Sequence, residues 1–375
     1  MRPDMKPAAA AGRSNKLPGL ELLRFLTALA ILLFHYRQFA FVGDREVGLV
    51  QDQLPLYWLF GPLYHSGPYA VRAFWCISGF IFFWKYRDAV AGRLLDGWRF
   101  FVLRFSRLYP LHVATLLFVA ALQPVYFQLT GSFFVYQNND ALHFLLQLLM
   151  AGNATTQEAL SFNGPIWSIS VEVLVYFFFF VMLLATRSWL LNLVVIAISL
   201  MIPGQIADCF AFFYAGGLAA MARQFATSRT IHPWAVEGAS WLAASVFLLC
   251  GYGFTDGHLE SIGLLVMLIC TPVLLYSLSR EVILPARLQQ VVETAGNMTY
   301  SSYLLQFPIQ LTMMLGFSLM RAPVPIYDNA FFGFFVGTTL LTSYFTYRHF
   351  EAPAQRMIRE ALLQPHAAGA SVASR

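Results

Sequence analysis

Charged residues are scarce in this chain: Asp, Glu, Lys and Arg make up 11% of 375 residues. A soluble domain carries roughly a quarter. With a mean hydropathy of +0.61, the composition fits a multi-span membrane protein. Cysteine is scarce too. Cys76, Cys209, Cys250 and Cys270 are the full set; they lie mostly in apolar runs and form no C-x-x-C pair. Neither a disulfide scaffold nor a metal site is expected. The chain also lacks a Gly/Ser linker, a low-complexity tract, an internal repeat and a soluble domain. Its formal charge of +5 is modest and gathered in particular loops, a topology signal that points away from nucleic acid.

What fills the chain instead is apolar and aromatic: 58% hydrophobic residues, with 36 Phe, 17 Tyr and 8 Trp, suited to lipid-facing and interfacial positions. Taking runs of about 20 apolar residues as spans, the sequence predicts an all-α, polytopic membrane helix bundle. About ten spans are expected, near 19–42, 66–86, 109–129, 165–185, 188–203, 206–222, 234–252, 259–278, 299–320 and 329–348. The first run is too long for a secretory signal, contains Arg24 and His35, and is followed by no A-x-A-type site, so it reads as a retained span. Residues 141–152, "ALHFLLQLLMAG", are too few to cross and are expected at the outer interface or as a re-entrant segment.

Lys and Arg collect in the N-terminal tail, in the second connection from Lys85 to Arg107, in later alternate loops and in the C-terminal tail. Residues 130–164 and 251–258 contain neither type. The bias predicts an even number of spans with both termini in the cytoplasm, Arg45 and Arg321 being exceptions. The expected organisation is a cytoplasmic tail at 1–18, one transmembrane domain at 19–350 and a cytoplasmic tail at 351–375, the last dozen residues disordered.

The first span carries two costly side chains, Arg24 and His35, with ten residues between them. Eleven helical steps of about 100° put both on one face, about 16 Å apart along the axis. Arg24 at the cytoplasmic end can snorkel to headgroups. His35, placed about seven residues inside the outer end, is expected to line a pathway. Glu172 falls at a similar depth in the fourth span, with Ser168 four residues earlier on the same face. A carboxylate beside an imidazole raises its basicity and fixes its tautomer, as a general base requires. Arg72 in the second span is an alternative partner for Glu172. Ser78 and Gly79 read as a close-packing small pair. The segment "DGWRFFVLRFSRLYP" mixes Arg99, Arg104 and Arg107 with aromatics. It reads as an interfacial amphipathic stretch for anionic lipid or as a phosphate clamp.

Six elements in order resemble the membrane-bound acyltransferase family 3, which acylates glycans, lipid-linked sugars and natural products. They are "GLELLRFLTALAILLFHY" with its Arg, ten residues, His pattern, "FWCISGFIFF", "LRFSRLYPLH", "NGPIWSISVEVLVY", "TYSSYLLQFPI" and "YRHFEAPAQR". The chain departs from the family in having Gln306 where many members have histidine, and in Arg72. The resemblance implies an acyl-CoA co-substrate, acetyl being commonest among relatives, and no permanently bound cofactor. It assigns His35 as general base with Glu172 orienting it. Arg24, Arg104 and Arg107, with Arg348 a further candidate, would bind acyl-CoA. Arg72, Ser78, Trp167, Ser168, Tyr303 and Gln306 would line the tunnel or the acceptor site. The acceptor would be a hydroxyl of a cell-surface or exported glycan, and the location a bacterial inner membrane. A covalent acyl-histidine relay is a mechanistic variant. A transporter or flippase using the same buried charges is the rival reading. No residue specifies an oligomeric state.

Overall fold

In lipid, each backbone N–H and C=O must be satisfied within the chain, so apolar runs become helices. The computed structural model describes residues 17–152, 160–227, 238, 241–245, 260–280, 282 and 284–363. Its helices are α1 (Pro18–Tyr36), α2 (Tyr57–His65), α3 (Gly67–Ala91), α4 (Gly97–Thr130), α5 (Ala141–Leu148), α6 (Ile166–Ala185), α7 (Trp189–Met201), α8 (Gln205–Thr227), α9 (Glu260–Leu278), α10 (Ala286–Asn297), α11 (Thr299–Met320), α12 (Asn329–Thr346) and α13 (Ala352–Leu363). A π-helical turn, Tyr347–Glu351, joins the last two. The strands β1 (Phe41–Val42) and β2 (Arg45–Glu46) form a small antiparallel hairpin, with Phe41 opposite Glu46.

Several expected boundaries shift. The first span ends as a helix at Tyr36, continues as a 3₁₀ turn to Ala40 and gives way to the hairpin. Gly43, at φ +62°, makes the reversal possible. His35 therefore sits in the last turn of α1 rather than well inside a longer helix. The basic stretch before residue 109 is not a separate interfacial segment. It is the first third of α4, a 34-residue helix about 51 Å long at 1.5 Å per residue. Asp96 caps its start by accepting from the Arg99 amide at 2.8 Å, and the helix runs on through Pro110 and Pro124. Part of the expected C-terminal tail is also structured, as α13.

Among the described residues, five helical segments are long and apolar enough to cross a membrane: Pro18–Ala40, Gly97–Thr130, Ile166–Ala185, Gln205–Ala226 and Thr299–Met320. Ten such spans were expected. α7, with 13 residues, reaches about 20 Å and falls short of a hydrocarbon core of about 30 Å. The expected span at 234–252 lies largely outside the described residues.

Two helices press together backbone to backbone. A Cβ on Gly79 of α3 would collide with the Phe213 carbonyl of α8, and one on Gly216 of α8 would collide with the Cys76 carbonyl of α3. Gly217 meets the Phe83 ring in the same way. Small residues at a membrane helix crossing allow this approach. The Ser78–Gly79 pair thus packs through its glycine. At one end of the crossing Arg72 grips Asp208, with Nη2 donating at 2.6 Å and Nε at 3.1 Å to the same carboxylate oxygen. Arg72 does not neutralise Glu172, because Asp208 on the facing helix takes its guanidinium. A proline in α11 has a matching compensation. Pro308 has no N–H to bond the Leu304 carbonyl, and Asn163 Nδ2 donates to that carbonyl at 3.1 Å.

Overpacking a close contact costs about 1–3 kcal/mol. Gly79→Ala and Gly216→Ala should each lower the thermal midpoint of detergent-solubilised protein. Gly337→Ala, where a Cβ meets nothing within 4 Å, should leave it unchanged or raise it slightly. Arg72→Gln should destabilise by stranding Asp208, and adding Asp208→Asn should recover part of the loss. The two changes should couple in a double-mutant cycle by on the order of 1 kcal/mol.

Candidate active site

With its Cys76, Gly79 and Phe83 side turned to α8, α3 presents another side to the interior, and that side lines a cavity of about 370 Å³. Each wall is a helical stripe at i, i+3 or i+4 spacing. Helix α1 supplies Glu21, Arg24 and Ile31; α3 supplies Phe74, Ser78, Phe82 and Lys85; α4 supplies Arg104, Arg107 and Leu108. From α6 come Ser168, Glu172 and Tyr176, from α11 Thr299, Tyr300 and Tyr303, and from α13 Gln355 and Arg359.

Five basic side chains, Arg24, Lys85, Arg104, Arg107 and Arg359, face two carboxylates, Glu21 and Glu172, across this space. Arg24 is held by Glu21 at 2.9 Å and donates to Thr299 Oγ1 at 3.2 Å. Gly296 gives Glu21 its room, since a Cβ there would strike the carboxylate. Arg104 donates to the Tyr86 hydroxyl and lies 4.7 Å above the Phe82 ring and 4.9 Å from the Tyr86 ring. Those are cation–π contacts that hold the charge without neutralising it. Arg107 has no hydrogen bond or contact ion pair among the described residues. Arg359 donates to Ser106 Oγ at 3.1 Å and to the Leu103 carbonyl at 3.3 Å. Burial, and next the nearby Arg104 charge, push its guanidinium below the usual arginine value. The surplus of positive charge suits a multiply charged anion.

The other wall is a hydroxyl network. Glu172 faces the Ser78 and Tyr176 hydroxyls, which bond one another at 3.0 Å, and the Tyr176 ring stacks on Phe82 at 4.0 Å. The Tyr303 hydroxyl donates to the Pro165 carbonyl at 2.6 Å, leaving the Ser168 hydroxyl to donate to Tyr303 at 2.8 Å. Trp75 Nε1 donates to the Ser168 carbonyl at 3.4 Å.

Of the residues picked from sequence, Arg24, Ser78, Arg104, Arg107, Ser168, Glu172 and Tyr303 meet around one space. The others do not line it. His35 lies one helical turn beyond Ile31, its buried Nδ1 without a hydrogen-bond partner among the described residues and its carbonyl accepting from Gln310 at 2.8 Å. The structure does not join His35 to Glu172: Glu172 lines the cavity beside Ser78 and Tyr176, and His35 lies beyond that lining. Trp167 packs edge-on against Trp75, centroids 5.8 Å apart. Gln306 is buried on α11, both amide atoms unpartnered among the described residues. Arg348 is exposed on the π-helical turn and donates to Tyr344 at 2.9 Å, away from the cavity. Sequence reasoning missed Glu21, Tyr86, Tyr176, Tyr300 and Arg359. Glu21 stands three residues before Arg24, and Tyr176 four after Glu172, so helical spacing was an available signal for both. Arg359 gave none beyond its charge.

A larger groove of about 550 Å³ between α6, α7 and α8 is lined by Phe178, Val195, Ile198, Phe210 and similar residues. It holds no titratable group and offers no transfer chemistry.

Residues 17–348 match the family model described as an acyltransferase domain, of acyltransferase family 3. Over 173 residues the chain is 30% identical to the acyltransferase MdmB of Streptomyces mycarofaciens, an alignment covering 44% of this chain and 39% of that relative. The chain thus spans about two-fifths of the length of the curated relative it matches. No solved structure matches. With the family match running through α1 to α12 and through nearly every wall of the cavity, this chain belongs to the acyltransferase 3 family of membrane acyltransferases.

Proposed function

We propose that this protein moves an acyl group, acetyl in the first instance, from cytoplasmic acyl-CoA to a hydroxyl of an exported or cell-surface glycan in a bacterial inner membrane. The observation that supports it best is the cavity itself. One wall is rich in guanidinium groups, and α1 leads from Arg24 at that wall to His35 about 16 Å further along. Phosphates of the donor would sit among Arg24, Arg104 and Arg107, with the pantetheine arm running along Ile31 toward His35. The cavity ends short of the imidazole, so in this reading the Ile31 side chain swings aside as the thioester enters.

His35 then acts as general base. Its free ring nitrogen takes the proton from the acceptor hydroxyl as that oxygen attacks the thioester carbon. The tetrahedral intermediate collapses by breaking the C–S bond, and the proton passes to the departing thiolate, giving the ester and CoA. Glu172 has a different part from the one its sequence position suggested. Set beside the Ser78–Tyr176 hydrogen bond that links α3 and α6, it offsets part of the Arg104 and Arg107 charge. Family membership leaves the transporter reading without support of its own.

Isothermal binding of acetyl-CoA in nanodiscs and its slow hydrolysis test the assignment. Removing a general base costs about 10²–10⁴-fold in rate, so His35→Ala should lose hydrolysis while keeping its donor Kd within about threefold. Losing a charge-assisted hydrogen bond costs about 1.5–3 kcal/mol. Arg107→Gln should accordingly raise the donor Kd at least about tenfold with little change in the thermal midpoint, since among the described residues no hydrogen bond or contact ion pair depends on that guanidinium. A folded wild type that binds no acetyl-CoA would sink the reading.

A further inference from the structure

The family match ends at residue 348, yet two residues that line the cavity come later, from α13. Gln355 and Arg359 are one turn apart on the same face of this helix, and both border the space shared with Arg24, Lys85, Arg104 and Arg107. The helix is docked there by specific contacts. Arg359 bonds Ser106 Oγ and the Leu103 carbonyl of α4. Near its other end, the Leu362 carbonyl accepts from Trp98 Nε1 at 3.2 Å. The turn before it is anchored by Ser301, whose hydroxyl donates to Glu351 at 2.5 Å.

Helix attachment alone does not account for this arrangement. An arginine whose only task was to bridge two helices gains nothing from facing three other guanidinium groups and a lysine. Like charges so close repel one another, and a neutral glutamine could make similar hydrogen bonds. Of the two carboxylates on the lining, Glu21 is engaged by Arg24, which leaves Glu172 alone to face Lys85, Arg104, Arg107 and Arg359. What would relieve the repulsion is an anion with several oxygens, and a guanidinium has donors to spare for it.

We infer that α13 is part of the donor site, with Arg359 recognising the phosphorylated nucleotide end of acyl-CoA. This rests on the acyl-CoA reading and adds to it a recognition element beyond the family-matched segment. Arg359 would close the phosphate end of the cavity beside Arg104, and Gln355 would supply neutral donors one turn earlier on the same face.

The test compares two donors that share a thioester and pantetheine but differ in their phosphates: acetyl-CoA, and acetyl-pantetheine, which has none. Binding of each to the full-length protein in nanodiscs would be measured for wild type, Arg359→Gln and Arg359→Lys. Arg359→Gln should weaken acetyl-CoA at least tenfold and flatten its salt dependence, while acetyl-pantetheine changes less than twofold. Arg359→Lys should recover much of the acetyl-CoA loss. Equal losses for both donors would mean that Arg359 only braces the helix, and no loss for either would mean that α13 is not in the site; both overturn the inference. Failure of the wild type to bind acetyl-CoA at all would instead count against the functional reading on which it rests.

Discussion

The close crossing of α3 on α8 is the contact on which the rest of the arrangement depends. Glycines at 79 and 216 let each helix press on a carbonyl of the other, an approach that any larger residue would prevent. Once the Cys76–Gly79–Phe83 side is committed to α8, the 3.6-residue period leaves Phe74, Ser78, Phe82 and Lys85 pointing the other way. These residues meet the stripes of α1, α4, α6 and α11 and enclose the cavity. The Arg72–Asp208 pair sets the same crossing from one end. A sequence position that looked like part of an acceptor site thus serves the scaffold that shapes the cavity.

The second organising feature is how the protein keeps many cations near one another with few anions. Each is handled differently. Arg72 has a carboxylate to itself, and Arg24 donates both to Glu21 and to a threonine hydroxyl. Arg104 rests on two aromatic faces, which stabilise a cation while leaving its charge in place. Arg107 and Lys85 complete a field that remains positive. Arg104 and Arg107 can accept anionic oxygens without first breaking a contact ion pair among the described residues, an advantage where desolvated pairs are hard to separate. The neutral hydroxyl network of Ser78, Tyr176, Ser168 and Tyr303 stands opposite, stiffened by ring stacking and backbone acceptors.

Much of this was legible before any coordinates. Hydrophobic runs announced helices because a membrane permits little else, and α6 and α11 lie within one residue of their expected ends. Helices α4 and α1 show where the reading stopped. The basic stretch ahead of residue 109 read as an interfacial segment separate from the span that follows, but one helix runs through both, Pro110 included. The 3₁₀ turn and hairpin after Tyr36 depend on Gly43 adopting a left-handed conformation, which an apolar window does not register. Arg24, Arg104, Arg107, Ser168, Glu172 and Tyr303 stood out in the sequence because rare polar residues in an apolar chain are conspicuous, and they line one cavity.

What the sequence by itself determined is the class of fold, the family, and which helices carry costly side chains and on which face. Those follow from local rules: burial cost per residue, helical period and motif order. Partner choice was decided only by the tertiary structure. Asp208, distant in sequence, takes Arg72; Ser78 and Tyr176 take one another beside Glu172; and α13 brings Arg359 to a wall shared with α4. The physical reason is that ion pairs and hydrogen bonds act over a few ångströms between helices, and their distances depend on crossing geometry. That geometry is set by contacts such as Gly79 on Phe213, which no one-dimensional pattern encodes.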